Sequence, residues 1–275
     1  MDFCRRWAVT IHAVVMVVIL MTAIGVAAFP LKAPFAEPYR ITRHPAEDYM
    51  PAISPDGHQM VFVSNRGGAP NLWIKSIDDP TLPTPKQLTR QAAGDKDPAY
   101  SPDGKKIVYV SYGSDAEGDI YILTLPKPEE IAVGVTPEIE RLTGIETADR
   151  EPVFTADGEG VIYSSWEKRG GQTATLFLYD IKTKEKRLIS KEGARQATVS
   201  PDGKNIAFVS QVNKNGDDEE DSGKSSIYIL DMSSGKKREL TKWGAIDSFP
   251  AFDGDEAIVF VRYESDTNGD GQVGR

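Results

Sequence analysis

The sequence predicts an all-β chain, a β-propeller built of four-stranded antiparallel blades, on three observations. One string recurs almost unchanged, as SPDGHQMVFVS at 54–64, SPDGKKIVYVS at 101–111 and SPDGKNIAFVS at 200–210. Aligned on Asp-Gly, the copies fall at Gly57, Gly104, Gly158 and Gly203, with gaps of 47, 54 and 45 residues. Every copy carries the same succession of short apolar runs separated by polar turns. A small sheet cannot bury both faces alone, whereas several identical sheets packed about one axis can. A β-sandwich does not explain four strands recurring in one order at one period.

Each element of a copy has a local reason. An opening stretch reads PAI, PAY, PVF or ATV, and a β-rich second run reads MVFVS, IVYVS, VIYSS or IAFVS. Between them Pro55, Pro102 and Pro201 fix φ near −65° for the second position of a type I turn, and Asp56, Asp103 and Asp202 suit the third. Gly57, Gly104 and Gly203 then supply the positive φ of a hairpin bulge, so these aspartates read as turn chemistry rather than catalysis. Thr155-Ala156-Asp157-Gly158 is the same corner without its proline. A third run follows as NLWIKSI, DIYILTL, TLFLYDI or SIYILDM, and KQLT, ERLT, KRLI or RELT closes the copy. A fifth, degenerate copy, PAFDGDEAIVFVR at 250–262, has only the first two runs. The expectation is four complete blades plus a partial fifth in an incomplete ring, and hence a fragment of a longer protein. Tyr39-Arg40-Ile41-Thr42 resembles the closure at 238–241 and reads as an outermost strand preceding the first copy.

These strings resemble the WD40-like Pro-Asp repeat of TolB-type propellers over about residues 37–263. The resemblance implies a propeller that binds protein or peptide ligands. Orthodox TolB carries an α/β domain before its propeller, for which this chain has no room after Ala28. Similar propellers also precede the α/β-hydrolase domain of prolyl-oligopeptidase relatives. The alternative reading is therefore the N-terminal propeller of a serine peptidase whose catalytic domain is missing from this chain.

The N-terminus is a different kind of sequence. Arg5 and Arg6 precede 22 residues, Trp7 to Ala28, without a Lys, Arg, Asp or Glu, ending in Val26-Ala27-Ala28. Residues 1–28 read as a signal peptide or signal anchor, residues 29–38 as a Pro-rich linker, and residues 39–275 as the propeller. Both readings export the chain to the periplasm, or anchor it in the inner membrane facing the periplasm, with membrane contact through this segment only. Cys4 is the sole cysteine and lies within that segment, so the exported part has no disulfide, thiol nucleophile or thiolate metal site. The net charge of −9 makes nucleic acid a poor partner.

Two acidic patterns could carry chemistry. Asp266, Asn268 and Asp270 fall at positions 1, 3 and 5 of an EF-hand-like half loop, Gly271 at 6, and Gln272 would offer its carbonyl at 7, which makes calcium the candidate cofactor. Asp48, Asp95, Asp149 and Asp247 each stand three residues before a blade-opening proline, with Ala194 the exception. Equivalent positions lie on one ring, so these carboxylates are expected around one mouth of the central channel, as loop caps or as a negative binding surface. The run Asp217 to Asp221 reads as a solvated loop. No Gly-x-Ser-x-Gly elbow or His-Glu-x-x-His motif is present, and His44 and His58 read as surface loop residues. The chain alone is expected not to be an enzyme.

Overall fold

Four sheets of four strands follow one another along the chain, each laid out in simple up-and-down order. The computed structural model describes residues 40–263 except 79–83, 145, 168–172, 192, 212–223, 243 and 256. The first sheet holds β1 (Asp48–Ile53), β2 (Gln59–Ser64), β3 (Asn71–Ser76) and β4 (Lys86–Gln87). The second holds β5 (Asp95–Tyr100), β6 (Lys106–Ser111), β7 (Asp119–Thr124) and β8 (Glu138–Arg141). The third holds β9 (Thr147–Phe154), β10 (Gly160–Glu167), β11 (Thr175–Asp180) and β12 (Lys186–Ser190). The fourth holds β13 (Ala194–Val199), β14 (Asn205–Ser210), β15 (Ser226–Asp231) and β16 (Lys237–Glu239), and β17 (Ile246–Asp253) pairs with β18 (Ala257–Tyr263) in a two-stranded sheet. A five-residue helix, α1 (Pro128–Ala132), sits between β7 and β8 and accounts for the longest repeat spacing.

The sheets are blades. The first strands β1, β5, β9, β13 and β17 touch one another in succession, and each packs across the first three strands of the preceding sheet. The apolar clusters lie between neighbouring sheets rather than within any one of them. Val61, Val63, Leu72 and Ile74 pack against Ile107, Tyr109 and Leu123 of the next blade. Val108 and Val110, on the opposite face of β6, pack against Val161 and Tyr163 of the blade after that. Both faces of a second strand are therefore buried, which is why IVYV is continuously apolar instead of alternating. Each such side chain contributes about 1.5–3 kcal/mol on burial.

The Pro-Asp-Gly corners form as the sequence predicts and stack in a row. Gly57, Gly104, Gly158 and Gly203 have φ between +71° and +79°. Each glycine N–H donates to the carbonyl of the Ser or Thr three residues earlier, at 2.8–2.9 Å. A Cβ on Gly104 would lie 3.6 Å from Pro55, and one on Gly158 would lie 3.6 Å from Pro102, so consecutive corners touch. The serine was not assigned a role by the turn argument, yet it completes the corner. The Ser101 hydroxyl donates to Asp103 at 2.7 Å and accepts the Lys106 N–H at 2.9 Å.

The closures also have a physical reason. The Thr89, Thr143 and Thr241 hydroxyls accept the N–H groups of Leu72, Ile120 and Ile227 at 2.8–3.0 Å, holding the outer strand to the third strand as it departs. Of the outermost strand expected at residues 39–42, the described residues 40–42 lie in no strand. A fourth strand needs a third-strand edge, and β3, β7, β11 and β15 already carry their own fourth strands. The N-terminal helix expected over residues 1–28 lies outside the described residues.

Candidate binding site

The inner strands are where the blades meet, and their sequences align as DYMPAI, DKDPAY, DREPVF, ARQATV and DSFPAF. Asp48, Asp95, Asp149 and Asp247 occupy the first of these positions, at equivalent register opposite Ser64, Ser111, Ser165 and Arg262. The four aspartates thus hold the same place in their blades. Their carboxylates, however, turn into the protein. Asp95, Asp149 and Asp247 are buried, and their N–H groups latch onto the preceding blade: Asp95 and Asp149 donate to Pro70 and Gly118 carbonyls at 2.8 and 3.0 Å, and Asp247 donates to Ser225 Oγ at 2.9 Å.

Their partners differ. Asp48 forms a two-pronged pair with Arg66 at 2.8 Å, and Asp247 is held by Arg262 at 2.7 and 2.9 Å. Asp149 accepts the Ser165 hydroxyl at 2.6 Å. Burial raises the Asp48 pKa, but hydrogen bonds from Ser64, Arg66 and Thr42 and the Arg66 charge outweigh it and hold the carboxyl below its ordinary value. Asp95 has no cation, and neither of its oxygens meets a hydrogen-bond partner. Burial pushes its pKa up, and the nearby Ser111 and Thr89 hydroxyls offset this only in part.

The next position along each inner strand holds Tyr49, Lys96, Arg150, Arg195 and Ser248, paired in the same register with Val63, Val110, Ser164, Val209 and Val261. These residues, missed in the sequence, bring three cations to consecutive blades. Lys96 lies 5.6 Å from the Tyr112 ring centroid and Arg150 lies 5.8 Å from that of Trp166. Arg195 Nε is buried without a hydrogen-bond partner.

A third position shows why the strands bulge here. Met50, Asp97, Glu151, Gln196 and Phe249 all have φ between +49° and +55°. The left-handed region is costly for such residues, about 1–3 kcal/mol each, and persists only where the surroundings over-determine it. Each coincides with a register shift against the second strand. Proline follows in four of the five strands, which disfavours the right-handed helical region before it and removes one ladder donor. The amide freed by the bulge is captured by the preceding blade. Asp97 accepts the Glu151 N–H, Glu151 Oε2 accepts the Gln196 N–H at 2.8 Å, and Gln196 Oε1 accepts the Phe249 N–H at 3.0 Å. Burial, and then the Glu151 charge, raise the Asp97 pKa. At the two ends of this series Met50 and Phe249 expose apolar side chains, 43 % and 64 % accessible.

A concavity of about 440 Å³ lies beside β16 and β18 and is lined by residues including Ile229, Leu240, Ile258 and Phe260. Its lining has no carboxylate, histidine or cysteine. His58 pairs with Asp78 at 2.9 Å in the open, and His44 accepts the Ala46 N–H, so neither joins a catalytic group among the described residues. Asp266, Asn268, Asp270 and Gln272 lie outside the described residues, as does the run Asp217 to Asp221. No helix among the described residues is long and apolar enough to cross a membrane.

The blade order and the inner-strand geometry define the fold as that of a TolB-type β-propeller. No protein-family model matches the chain, and no curated protein matches it. Among solved structures it is similar to one assigned as TolB from Agrobacterium tumefaciens, with TM-score 0.63 and 20 % identity over 83 % of this chain and 74 % of that one. It is similar to TolB from Acinetobacter baumannii at TM-score 0.58 and 24 % identity, over 78 % of this chain and 48 % of that one. A puromycin-hydrolyzing peptidase from Mycobacterium tuberculosis matches at TM-score 0.55 and 16 % identity, over 78 % of this chain and 32 % of that one. The chain thus spans about half of the Acinetobacter TolB and a third of the peptidase. At these identities the likeness defines the fold alone.

Proposed function

We propose that the chain is a non-enzymatic, exported scaffold of the cell envelope that binds a protein or peptide segment at the end of the propeller where the inner strands begin. The observation that carries this reading is the repeated left-handed bulge. It costs stability in five consecutive blades, and it presents Met50, Asp97, Glu151, Gln196 and Phe249 together with the cations beside them. Strain held at equivalent positions around an axis is the mark of a prepared surface.

Cross-linking tests the reading. With benzoylphenylalanine at position 249 the full chain gives a discrete protein adduct in envelope extracts, and the same group at position 58, on the opposite corner row, does not. Equal labelling at both positions, or none at either, overturns it. The export reading makes the N-terminal segment an address or anchor for the periplasm. The calcium reading makes Asp270→Ala abolish the heat of calcium binding to the full chain.

A second reading is favoured by the likeness to the puromycin-hydrolyzing peptidase, of which a third of the length is matched. There the propeller would cover a separate hydrolase domain. The scaffold reading expects no hydrolysis of aminoacyl p-nitroanilides by this chain. Hydrolysis that one substitution abolishes would favour the peptidase.

A further inference from the structure

We infer that the ligand segment is acidic, and that Lys96, Arg150 and Arg195 take its carboxylates; the inference rests on the scaffold reading above. The physical basis is a reversal of sign between neighbouring positions. Of the aspartates that open the inner strands, Asp95, Asp149 and Asp247 are buried and Asp48 is paired with Arg66. The residues immediately after them are cationic in three consecutive blades, and they share one register.

What the nearby acids are doing decides the argument. Asp97 and Glu151 are adjacent in the strands, but each accepts an inter-blade amide, and the same Glu151 oxygen, Oε2, also accepts the Ser164 hydroxyl at 2.9 Å. Asp48 and Asp247 are committed to Arg66 and Arg262. Lys96, Arg150 and Arg195 form no ion pair within 4.0 Å among the described residues, although Lys96 and Arg150 are close enough to Asp97 to ease its charge. Lys96 lies over the Tyr112 ring and Arg150 over the Trp166 ring. A guanidinium stacked on a ring keeps its in-plane donors available, and the ring fixes its orientation. Two forked donors on successive blades match carboxylates spaced along an extended peptide.

The partly neutralising acids limit the long-range field. Recognition then depends on short-range, charge-assisted contacts more than on steering. The exposed Met50 and Phe249 side chains flank this row and suit an apolar residue beside the acids.

Fluorescence anisotropy on the full chain tests the inference. The probes are a labelled Glu-Gly repeat peptide of about ten residues and its Gln-Gly counterpart. The glutamate peptide binds at least about tenfold tighter, and its affinity falls with added salt. Arg150→Gln with Arg195→Gln weakens it about tenfold or more, while Arg150→Lys with Arg195→Lys retains part of the affinity. Lys105→Gln with Lys204→Gln, an equal loss of charge on the corner row, leaves it unchanged. Equal binding of the two peptides, or equal weakening by both charge-loss pairs, overturns the inference. Should the position-249 adduct persist in the Arg150→Gln/Arg195→Gln chain while the glutamate peptide fails to bind, the scaffold reading stands and the acidic ligand falls.

Discussion

A single carboxylate has two opposite fates in this chain, each set by its immediate surroundings. In the corners it is an acceptor held in place. The Lys204 N–H, the Lys204 ammonium and the Ser200 hydroxyl bring the Asp202 pKa down to about 2. That group favours the folded state at neutral pH, and its contribution is lost as the pH falls from about 4 towards 2. Asp95 is the opposite case, buried without a partner, with its pKa above the ordinary 3.8. Below that value both folded and unfolded forms are protonated and there is no penalty. As the pH rises the unfolded chain ionises freely while the folded chain resists, so the penalty grows until the folded pKa is passed. Asp95→Asn is therefore expected to stabilise the protein by about 1 kcal/mol or more at pH 7 and not at all below about pH 4. Urea melts at the two pH values check this, and a variant no more stable at pH 7 would refute it. The corner glycines give a second expectation. Gly104→Ala costs about 1–2 kcal/mol through its φ of +71° alone, because its Cβ would meet only an ordinary contact. Gly203→Ala costs more, since the Ala156 Cβ would lie 3.1 Å away.

At the level of strands, the parts with local chemistry were legible in the sequence and the parts set by neighbours were not. The Pro-Asp-Gly corner is decided within four residues, so its spacing gave the blades directly. The closing Leu-Thr could be read as a strand end, but not as a hydroxyl substituting for a carbonyl. Thr143→Val keeps the shape and removes the acceptor of the Ile120 N–H, so it is expected to cost about 1–2 kcal/mol, measured by thermal or urea melts. The inner strands were misjudged for a clearer reason. In an ordinary sheet alternation tells inside from outside, but here both faces of a blade are covered by other blades. Nothing in the string Asp-Lys-Asp-Pro says that Asp95 is buried while Lys96 lies over the Tyr112 ring. The left-handed residues left one sign, the proline after four of them, and its meaning depends on a bulge that only the pairing reveals.

For the molecule as a whole, repetition is the source of stability and sets the stage for the proposed binding face. Each blade buries its faces against the next, so the core is a chain of interfaces and not a single centre. The same repetition brings equivalent residues of successive blades side by side, and a small change at one repeated position becomes a surface. Lys96, Arg150 and Arg195 stand at the second inner position of three consecutive blades, which is how the proposed cationic row arises from the repeat.

The central claim is that this rim end, and not the row of corners, is the working face. Hydrogen–deuterium exchange on the full chain, with and without the glutamate peptide, tests it most directly. The account predicts new protection in residues 95–97, 149–151 and 194–196, with residues 101–105 and 200–204 unchanged. Protection confined to the corners, or spread evenly over both ends, would contradict it.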